Sequence, residues 1–232
     1  MSILVLVPTS AEYRMVDWPA IRKSAGRDFT TAICGFGLAA AGIGAMRLLA
    51  EQTPDHVFLV GLAGGFVTEP DADPPAIKVG DAVVFHRVTC HGIGAGVDMA
   101  AAPDQFSSAD QMGWPHLEMD GSAVTDRLDL VVPDADARAM GRQKTLLSVT
   151  AASSSPDHAR WRRNTYPDAV AEDMEGFAVA VACRVSQVPL TIVRGISNPV
   201  GNRDTRTWQT APAMHVAAHR VALLIAGLES NV

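Results

Sequence analysis

The segment 172–198 reads EDMEGFAVAVACRVSQVPLTIVRGISN, and it determines how the rest of the chain is interpreted. Its acidic start is followed by small and apolar residues at helical spacing, which predicts a helix over Asp173–Ser186. The apolar run Leu190–Gly195 predicts a buried strand, and polar Ser197 and Asn198 follow it. A helix that leads into a buried strand with a polar end is typical of an α/β fold with a ligand site at the sheet edge.

Around this segment, short apolar runs alternate with longer Ala-rich runs, a pattern that predicts a sheet with helices on both faces. The predicted strands are Ile3–Val7, Thr30–Gly35, His56–Val60, Asp81–Val88, Thr145–Val149 and Leu190–Gly195. The predicted helices are Leu38–Gln52, Pro156–Tyr166, Asp173–Ser186 and Trp208–Leu228. The Pro-rich and acidic run Glu69–Ala76 predicts a surface loop, and residues 92–125 predict an irregular excursion near a site.

The composition favours a single soluble domain over residues 1–232. Hydrophobic residues make up 48% of the chain, enough for a substantial core, and the formal charge of -6 without a basic stripe argues against nucleic-acid binding. No apolar stretch approaches the ~20 residues that span a bilayer, and Ile3–Val7 is too short for a signal peptide. Cys34, Cys90 and Cys183 form no close pair, so we expect free thiols in a reducing cytoplasm, without disulfides, bound metal or cofactor.

Glycines cluster directly after two predicted strands, where ligands bind in open α/β sheets. Residues 35–37 (GFG) end one strand and open a helix, and residues 61–65 (GLAGG) end another. The backbone N–H groups of residues 35–37 are suited to an anion or a sugar hydroxyl. Neither run has the spacing of a Walker A loop or a dinucleotide fingerprint, and simple tight turns are the alternative explanation.

Two carboxylates are candidates for chemistry at this sheet edge. Glu12 follows the first strand and is placed to act as a general base on water; the alternative is an exposed acid in the first turn of a helix. Glu175, which precedes Gly176, lies in the first turn of the predicted helix, where its carboxylate can accept from vicinal hydroxyls. Glu172 or Asp173 is expected to cap that helix.

Six short motifs occur in an order that matches a known family. They are Glu12 and residues 35–37 (GFG), 61–65 (GLAGG), 78–81 (KVGD), 173–175 (DME) and 193–198 (VRGISN). Over nearly its whole length the chain resembles the nucleoside phosphorylase and nucleosidase family. Within it, the chain resembles the methylthioadenosine/S-adenosylhomocysteine nucleosidases and, more closely, the futalosine hydrolases of menaquinone biosynthesis. The resemblance implies a three-layer αβα domain with a mixed central sheet, which acts on a small-molecule purine nucleoside as a homo-oligomer, at least a dimer.

The resemblance also implies roles for single residues. Glu12 matches the base that activates water, Met174 and Glu175 match the pair that lines the ribose, and Ser197 and Asn198 match a Ser-Asp pair at the purine. The candidate catalytic residues are therefore Glu12 and Asn198. The candidate substrate-binding residues are Gly37, Ala63, Gly64, Met174, Glu175, Ser197, Arg203 and Trp208.

Asn198 departs from the family pattern, which has Asp at this position. A protonated Asp can donate to N7 of adenine while it accepts from the exocyclic amine, whereas a 6-oxopurine presents two acceptors, N7 and O6. The amide NH2 of Asn198 offers two donors. This predicts release of hypoxanthine from a 6-oxopurine nucleoside such as futalosine; an Asn that merely ends a strand before Pro199 is the alternative.

The loop 199–208 (PVGNRDTRTW) resembles the segment that follows Ser-Asn in futalosine hydrolases. Arg203 or Arg206 is suited to hold the benzoate carboxylate of that substrate as a bidentate pair, and solvated arginines are the alternative. Residues 153–155 (SSS) stand where adenine-releasing relatives carry a purine-stacking Phe, so no stacking residue is predicted.

Water rather than phosphate is the expected nucleophile. A phosphorylase needs a cationic cradle, whereas Thr9, Ser10 and Glu12 follow the first strand, and a carboxylate repels phosphate. Arg14 and Arg47 keep phosphorolysis open. An adenine-releasing nucleosidase and a non-catalytic nucleoside-binding protein are the remaining alternatives.

Overall fold

The computed structural model describes residues 1–67, 77–96, 106–119, 121–133 and 144–228. These residues form a nine-stranded mixed sheet and two separate two-stranded sheets. Helices cover both faces of the large sheet, so the predicted three-layer αβα architecture is confirmed. The predicted loop Glu69–Ala76 lies outside the described residues.

Helices and strands are numbered in chain order. The strands are β1 (Ile3–Val7), β2 (Thr30–Ile33), β3 (His56–Gly65), β4 (Ala82–Val84), β5 (Arg87–His91), β6 (Gly94–Gly96), β7 (Phe106–Ser108), β8 (Leu117–Met119), β9 (Ser122–Val124), β10 (Arg127–Asp129), β11 (Thr145–Val149), β12 (Ala169–Asp173) and β13 (Leu190–Pro199). The helices are α1 (Ser10–Arg14), α2 (Trp18–Ala25), α3 (Gly37–Gln52), α4 (Pro156–Thr165), α5 (Gly176–Val185) and α6 (Thr210–Gly227), and a short 3-10 helix spans Thr205–Thr207. Within the described ranges, no helix combines the length and apolarity needed to cross a membrane.

The large sheet has two halves. In one half, β2, β1, β3 and β13 run parallel, and β4 pairs antiparallel with β13. In the other half, β5, β11 and β12 run parallel, with β10 antiparallel at the edge. The halves join where β12 pairs antiparallel with β3, through Ala171 with Gly65 and Glu172 with Gly64. The carboxyl ends of β3 and β12 therefore overlap, and the residues that follow these strands meet at one place.

The sheet separates two hydrophobic clusters of buried residues. Alternate residues of β1 point to opposite faces, with Leu4 and Leu6 in one cluster and Val5 and Val7 in the other. Helices α3 and α5 cover the first cluster, and α2 and α6 cover the second. Burial on both faces explains why β1 is a continuous apolar run rather than an alternating one.

The largest errors in the predicted bounds occur at the carboxyl ends of strands. The strand predicted to end at Val60 continues to Gly65, and the strand predicted to end at Gly195 continues to Pro199. Glycine and polar residues there are typical of turns. In the structure, however, β3 and β13 stay paired through these residues, with a bulge after Ile196.

Strand β12 is absent from the predicted elements. The predicted helix Asp173–Ser186 includes the last residue of this strand, whereas the helix in the structure begins only at Gly176. Glu172 and Asp173 end this buried strand instead, and two buried arginines neutralise them. Of the two residues predicted as alternative caps, Glu172 does not cap the helix, because its carboxylate accepts from Arg162 and Ser153. Asp173 does accept the Gly176 N–H, at 2.9 Å, as a capping residue would.

The remaining differences are smaller. The predicted strand Thr30–Gly35 ends at Ile33, the predicted strand Asp81–Val88 is divided into β4 and β5, and the last helix begins at Thr210 after the 3-10 helix. An irregular excursion was expected over residues 92–125. The residues described there instead form short antiparallel pairs, β6 with β7 and β8 with β9.

Candidate active site

A cavity of about 300 Å³ opens where the carboxyl ends of β1, β3, β12 and β13 meet. All of the predicted site residues except Gly37 line it: Glu12, Ala63, Gly64, Met174, Glu175, Ser197, Asn198, Arg203 and Trp208. The other lining residues are Thr9, Phe36, Leu62, Ala152, Glu172, Asp173, Val200 and Gly201. A larger cavity, of about 770 Å³, has Asp129 as the single carboxylate of its described wall. The convergence of four carboxylates and an amide makes the smaller cavity the candidate site.

Glu12 lies in the first turn of α1, but at 9% exposure it is not the exposed acid of the alternative interpretation. The Thr9 hydroxyl donates to Glu12 Oε2 at 2.6 Å, and the Leu62 N–H donates to Oε1 at 2.9 Å. These two donors fix the carboxylate, and each oxygen keeps a second lone pair. Glu12 is therefore arranged to accept a proton from a water molecule held in the cavity.

Glu175 immediately precedes α5, and its buried carboxylate lines the cavity. The Gly37 N–H donates to Glu175 Oε1 at 3.0 Å. Gly37 has a φ of +74°, a left-handed conformation that glycine adopts without strain. In the structure Gly37 thus holds Glu175 in place and does not line the cavity itself, in contrast to the predicted contact with substrate.

Arg194 is completely buried below the carboxylates, at 0% exposure. Its guanidinium forms an ion pair with Asp173 and lies 3.6 Å from Glu175 Oε2. Burial lowers the pKa of Arg194, but the carboxylates of Asp173, Glu175 and Glu12 outweigh burial and keep the pKa above its ordinary value. A Cβ at Gly61 would lie 2.1 Å from Arg194 Nη1 and 2.9 Å from Glu12 Oε1. Glycine at this position therefore lets the buried cation approach the site.

The carboxyl group of Glu175 is a weaker acid than an ordinary glutamic acid side chain. Burial raises its pKa to about 7, and the charges of Asp173 and Glu12 add to this rise. Arg194 and the Gly37 N–H oppose it. Glu175 therefore changes its protonation state near neutral pH, as groups in functional sites often do.

The amide of Asn198 is buried at 6% exposure, and two neighbours fix its orientation. Its Nδ2 donates to the Pro199 carbonyl at 2.9 Å, and the Ser197 hydroxyl donates to Oδ1 at 2.7 Å. Because a backbone carbonyl can only accept, the amide nitrogen must be the atom that faces Pro199. One amide N–H remains for a ligand, where the sequence alone suggested two.

A second buried ion pair joins Glu172 and Arg162, and sequence reasoning did not identify it as belonging to the site. Arg162 Nη1 lies 2.8 Å from Glu172 Oε2. Ser153 donates its N–H to Oε1 and its hydroxyl to Oε2, both at 2.7 Å. The three residues come from a strand, a helix and a loop, so no local motif joins them. The available signal is the acid near the end of Ala169–Asp173, but an acid just before a helical pattern also indicates a helix cap.

The two arginines of the loop 199–208 have different surroundings. Arg203 lines the cavity, with its guanidinium 5.2 Å from the centre of the Trp208 ring, a cation–π distance. Arg206 does not belong to the cavity wall and pairs with Asp204, to which its Nε donates at 2.8 Å. The geometry therefore favours Arg203 over Arg206 as a partner for an anionic group of a ligand.

Comparisons with known proteins identify the family. The model of the phosphorylase superfamily matches residues 12–228. The chain is 31% identical over 209 residues to a futalosine hydrolase from Streptomyces coelicolor, a match that covers 84% of this chain and 81% of that protein. It is 27% identical over 210 residues to a 5'-methylthioadenosine/S-adenosylhomocysteine nucleosidase from Tolumonas auensis, a match that covers 88% of this chain and 82% of that protein.

Solved structures share the fold. The 5'-methylthioadenosine/S-adenosylhomocysteine nucleosidase from Neisseria meningitidis, in complex with methylthio-immucillin-A, has a TM-score of 0.72 and 19% identity and covers 98% of this chain and 99% of that one. The futalosine hydrolase of Helicobacter pylori has a TM-score of 0.70 and 16% identity and covers 98% of each chain. Because the family model matches the chain from Glu12 to just beyond the last helix, the chain belongs to the phosphorylase superfamily.

Proposed function

We propose that this protein hydrolyses the N-glycosidic bond of futalosine, releasing hypoxanthine and dehypoxanthine futalosine in menaquinone biosynthesis. Its family and its relatives make it an N-glycosidic hydrolase of the nucleosidase type. The observation that carries the substrate assignment is Asn198, an amide of fixed orientation in the same cavity wall as Glu12 and Glu175. The similarity to futalosine hydrolases supports the same assignment.

The proposed reaction uses the two carboxylates on the sugar side of the cavity. Water attacks the anomeric carbon, and Glu12 accepts its proton while the new C–O bond forms. The C–N bond breaks, and its electron pair goes to the purine, which leaves an oxocarbenium-like sugar in the transition state. The base departs as the anion and takes up a proton from solvent to give hypoxanthine, and Glu12 returns its proton to solvent. Glu175 accepts hydrogen bonds from the ribose hydroxyls, and the negative charge of both carboxylates stabilises the developing cation.

On the base side, Asn198 donates a hydrogen bond but does not transfer a proton. An adenine-releasing enzyme uses an acid that protonates N7, and an amide cannot replace that acid. A 6-oxopurine spreads the negative charge of the leaving base onto O6 and N7, so a hydrogen bond from the free amide N–H stabilises its departure. Asn198 thus offers one amide N–H to the base instead of the predicted two, because the Pro199 carbonyl accepts the other. The preference for a 6-oxopurine rests on the absence of an acid that could protonate N7 of adenine.

Other residues of the cavity wall suit the remainder of the substrate. Arg203 offers a guanidinium for the benzoate carboxylate, which a planar fork binds through two parallel hydrogen bonds. Phe36 and Trp208 are the aromatic residues of the wall and supply flat apolar surface for rings. A carboxylate-bearing nucleoside is thus complementary to the lining of the cavity.

The proposed function is tested by supplying futalosine in ¹⁸O-labelled water, with and without inorganic phosphate. We expect hypoxanthine and a reducing sugar that carries the label at the anomeric carbon, at rates that do not depend on phosphate. Mass spectrometry of the sugar product distinguishes the outcomes. Formation of a sugar 1-phosphate would show phosphorolysis, and binding of futalosine without release of base would show a nucleoside-binding protein.

A pH dependence follows from the raised pKa of Glu175. The ionised carboxylate accepts from ribose hydroxyls, so kcat/KM for futalosine should rise as pH increases through about 7, and Glu175→Gln should lower kcat/KM and remove that rise. The effect on stability has the opposite sign, because the folded chain retains this proton while the unfolded chain releases it. Between pH 4.5 and about 7 the free energy of unfolding should fall with increasing pH, less so in the variant. If kcat/KM of Glu175→Gln rose with pH as that of the parent does, the assignment of this pH dependence to Glu175 would be contradicted.

Two alternatives lead to different products. The free N–H and the Oδ1 of Asn198 also fit the N7 and exocyclic amine of adenine, and relatives include adenine-releasing nucleosidases, so release of adenine from methylthioadenosine is the second candidate. Phosphorolysis has weaker support, because neither Arg14 nor Arg47 belongs to the described cavity wall and Arg47 pairs with Glu51 at 2.8 Å.

The homo-oligomer and the cytoplasmic location stay predictions. The surface of α3 and α5 supports the oligomer, since it carries an open apolar depression of about 750 Å³ lined by residues such as Ile43, Met46 and Val181. Ile43, Met46, Ile93 and Leu117 in this depression are 74%, 39%, 39% and 38% exposed, and a contiguous exposed apolar patch is typical of a protein–protein contact surface.

A further inference from the structure

The buried carboxylate of Glu172 has a position that the reaction described above does not use. Its side chain is 6% exposed and lines the candidate cavity, whereas Arg162, its ion-pair partner, is completely buried and does not belong to the described wall. A residue needed only to hold α4 against the sheet has no reason to face the cavity. Glu172 therefore presents an acidic group to the ligand from a fixed support.

The hydrogen bonds of Glu172 leave one position open. Oε2 accepts from Arg162 Nη1 at 2.8 Å and from the Ser153 hydroxyl at 2.7 Å, which uses both of its lone pairs. Oε1 accepts from the Ser153 N–H at 2.7 Å. One lone pair of Oε1 therefore remains for a donor on the ligand, and the arginine keeps the charge of the carboxylate compensated when water is excluded.

Glu172 lies in one row with Asn198 across three adjacent strands. Gly64 of β3 pairs with Glu172 of β12 on one side and with Asn198 of β13 on the other. Neighbouring strands are about 4.8 Å apart, so the two outer residues are separated by about 10 Å across a glycine that has no side chain. Val200 and the Asn198 amide occupy the space directly above Gly64, 3.2 and 3.6 Å from the position of a Cβ there, so a base would lie beside Gly64 rather than on it. A planar base flanked by two hydrogen bonds has about this width, so Glu172 and Asn198, which both line the cavity, can hold its two ends.

The acceptor at this end distinguishes the two purine classes. A 6-oxopurine carries hydrogen on N1 and is a donor there, whereas N1 of a 6-aminopurine has a lone pair and is an acceptor. A carboxylate oxygen attracts the first and repels the second. The hydrogen bonds of Asn198 fit either base, and only the absence of an acid at this position disfavours adenine, so an acceptor at N1 adds a second distinction.

We infer that Glu172 is the residue that determines specificity for 6-oxopurines, by accepting the N1–H of the base through Oε1. The inference rests on the proposed function and adds to it the group that rejects 6-amino nucleosides. Arg162 and Ser153 act as positioning residues that fix the carboxylate. The specificity then depends on both ends of the base, with Asn198 at the N7 edge and Glu172 at N1.

The test compares futalosine with its 6-amino analogue as substrates for the parent enzyme and Glu172→Gln. We expect kcat/KM for futalosine to fall about 10- to 100-fold, the usual effect of losing a charge-assisted hydrogen bond, while kcat/KM for the 6-amino analogue changes much less. Glu51→Gln is the matched control: it makes the same chemical change on an exposed acid that does not line the cavity, so it should leave both values and their ratio unchanged. Ser153→Ala removes one support of the carboxylate, so it should shift the ratio in the same direction as Glu172→Gln, but by less. An equal loss for both substrates in Glu172→Gln would overturn the inference and leave Glu172 with a structural role.

A binding measurement on the parent enzyme covers the case in which the variant does not fold. Calorimetry with hypoxanthine and 1-methylhypoxanthine should show binding about 10- to 100-fold weaker for the methylated base, which lacks the N1–H. Equal affinities would overturn the inference without any variant. If the enzyme fails to cleave futalosine but still discriminates these bases, the proposed function fails while the role of Glu172 stands.

Discussion

Glu12→Gln is expected to lower kcat for futalosine hydrolysis about 10²- to 10⁴-fold, the usual contribution of a general base. The amide has the shape of the carboxylate, so its oxygen can still accept the Leu62 N–H and its nitrogen can donate to the Thr9 hydroxyl. The cavity should therefore keep its form. What is lost is the ability to accept the proton of the attacking water, and kcat should fall while nucleoside affinity, measured by calorimetry, changes little.

Glu51→Gln is the matched control for this substitution. Glu51 is an exposed acid of α3 that pairs with Arg47 at 2.8 Å and does not line the cavity, so its variant should keep the parent kcat. Thermal unfolding of both variants then separates folding from chemistry. Retained turnover in Glu12→Gln would exclude Glu12 as the base.

Asn198→Asp is expected to lower kcat/KM for futalosine about 10²- to 10⁴-fold, the range seen when buried polar partners no longer match. A carboxylate would place an acceptor 2.9 Å from the Pro199 carbonyl and another opposite the N7 and O6 acceptors of hypoxanthine. The loss should be smaller with the 6-amino analogue, because a protonated Asp can donate to N7 of adenine. The ratio of the two kcat/KM values should therefore move toward the 6-amino substrate.

Asn202→Asp makes the same chemical change outside the site. The Asn202 amide donates to the Thr207 hydroxyl in the neighbouring loop and does not line the cavity. Its variant should keep the parent kcat/KM and the parent substrate ratio. Unchanged activity of Asn198→Asp on futalosine would contradict the role assigned to Asn198 in recognition of the base.

Much of the fold follows from local patterns in the sequence. The strands Ile3–Val7 and Thr145–Val149 have their predicted bounds, because continuous apolar runs bounded by polar residues are what a doubly covered sheet requires. The αβα architecture follows from the alternation of such runs with Ala-rich helices. The errors concern helix α2, which was not predicted, strand β12, and the ends of β3 and β13, where glycines and acids resemble turns and caps. Whether such residues stay in a sheet depends on pairing with distant strands, which no local pattern contains.

The residues of the candidate site also divide into those that local sequence patterns predict and those that depend on tertiary packing. Residues placed shortly after the predicted strands, such as Glu12 and Asn198, were identifiable because the carboxyl ends of strands in an α/β sheet converge. The supporting groups were not. Arg162 reaches Glu172 from a helix, and Arg194 reaches Asp173 from within a strand, and each pairing depends on tertiary packing alone. The same packing uses one N–H of Asn198 on Pro199, which reduces the two donors expected from the residue type to one.

The central claim is that this site hydrolyses a 6-oxopurine nucleoside, and comparison of futalosine with its 6-amino analogue tests it most directly. Both nucleosides are incubated with the enzyme at equal concentration, and the released bases are identified and quantified by chromatography. We predict release of hypoxanthine with a kcat/KM at least about 10²-fold above that for release of adenine. Release of adenine with an equal or higher kcat/KM would contradict the assignment and establish an adenine-releasing nucleosidase in its place.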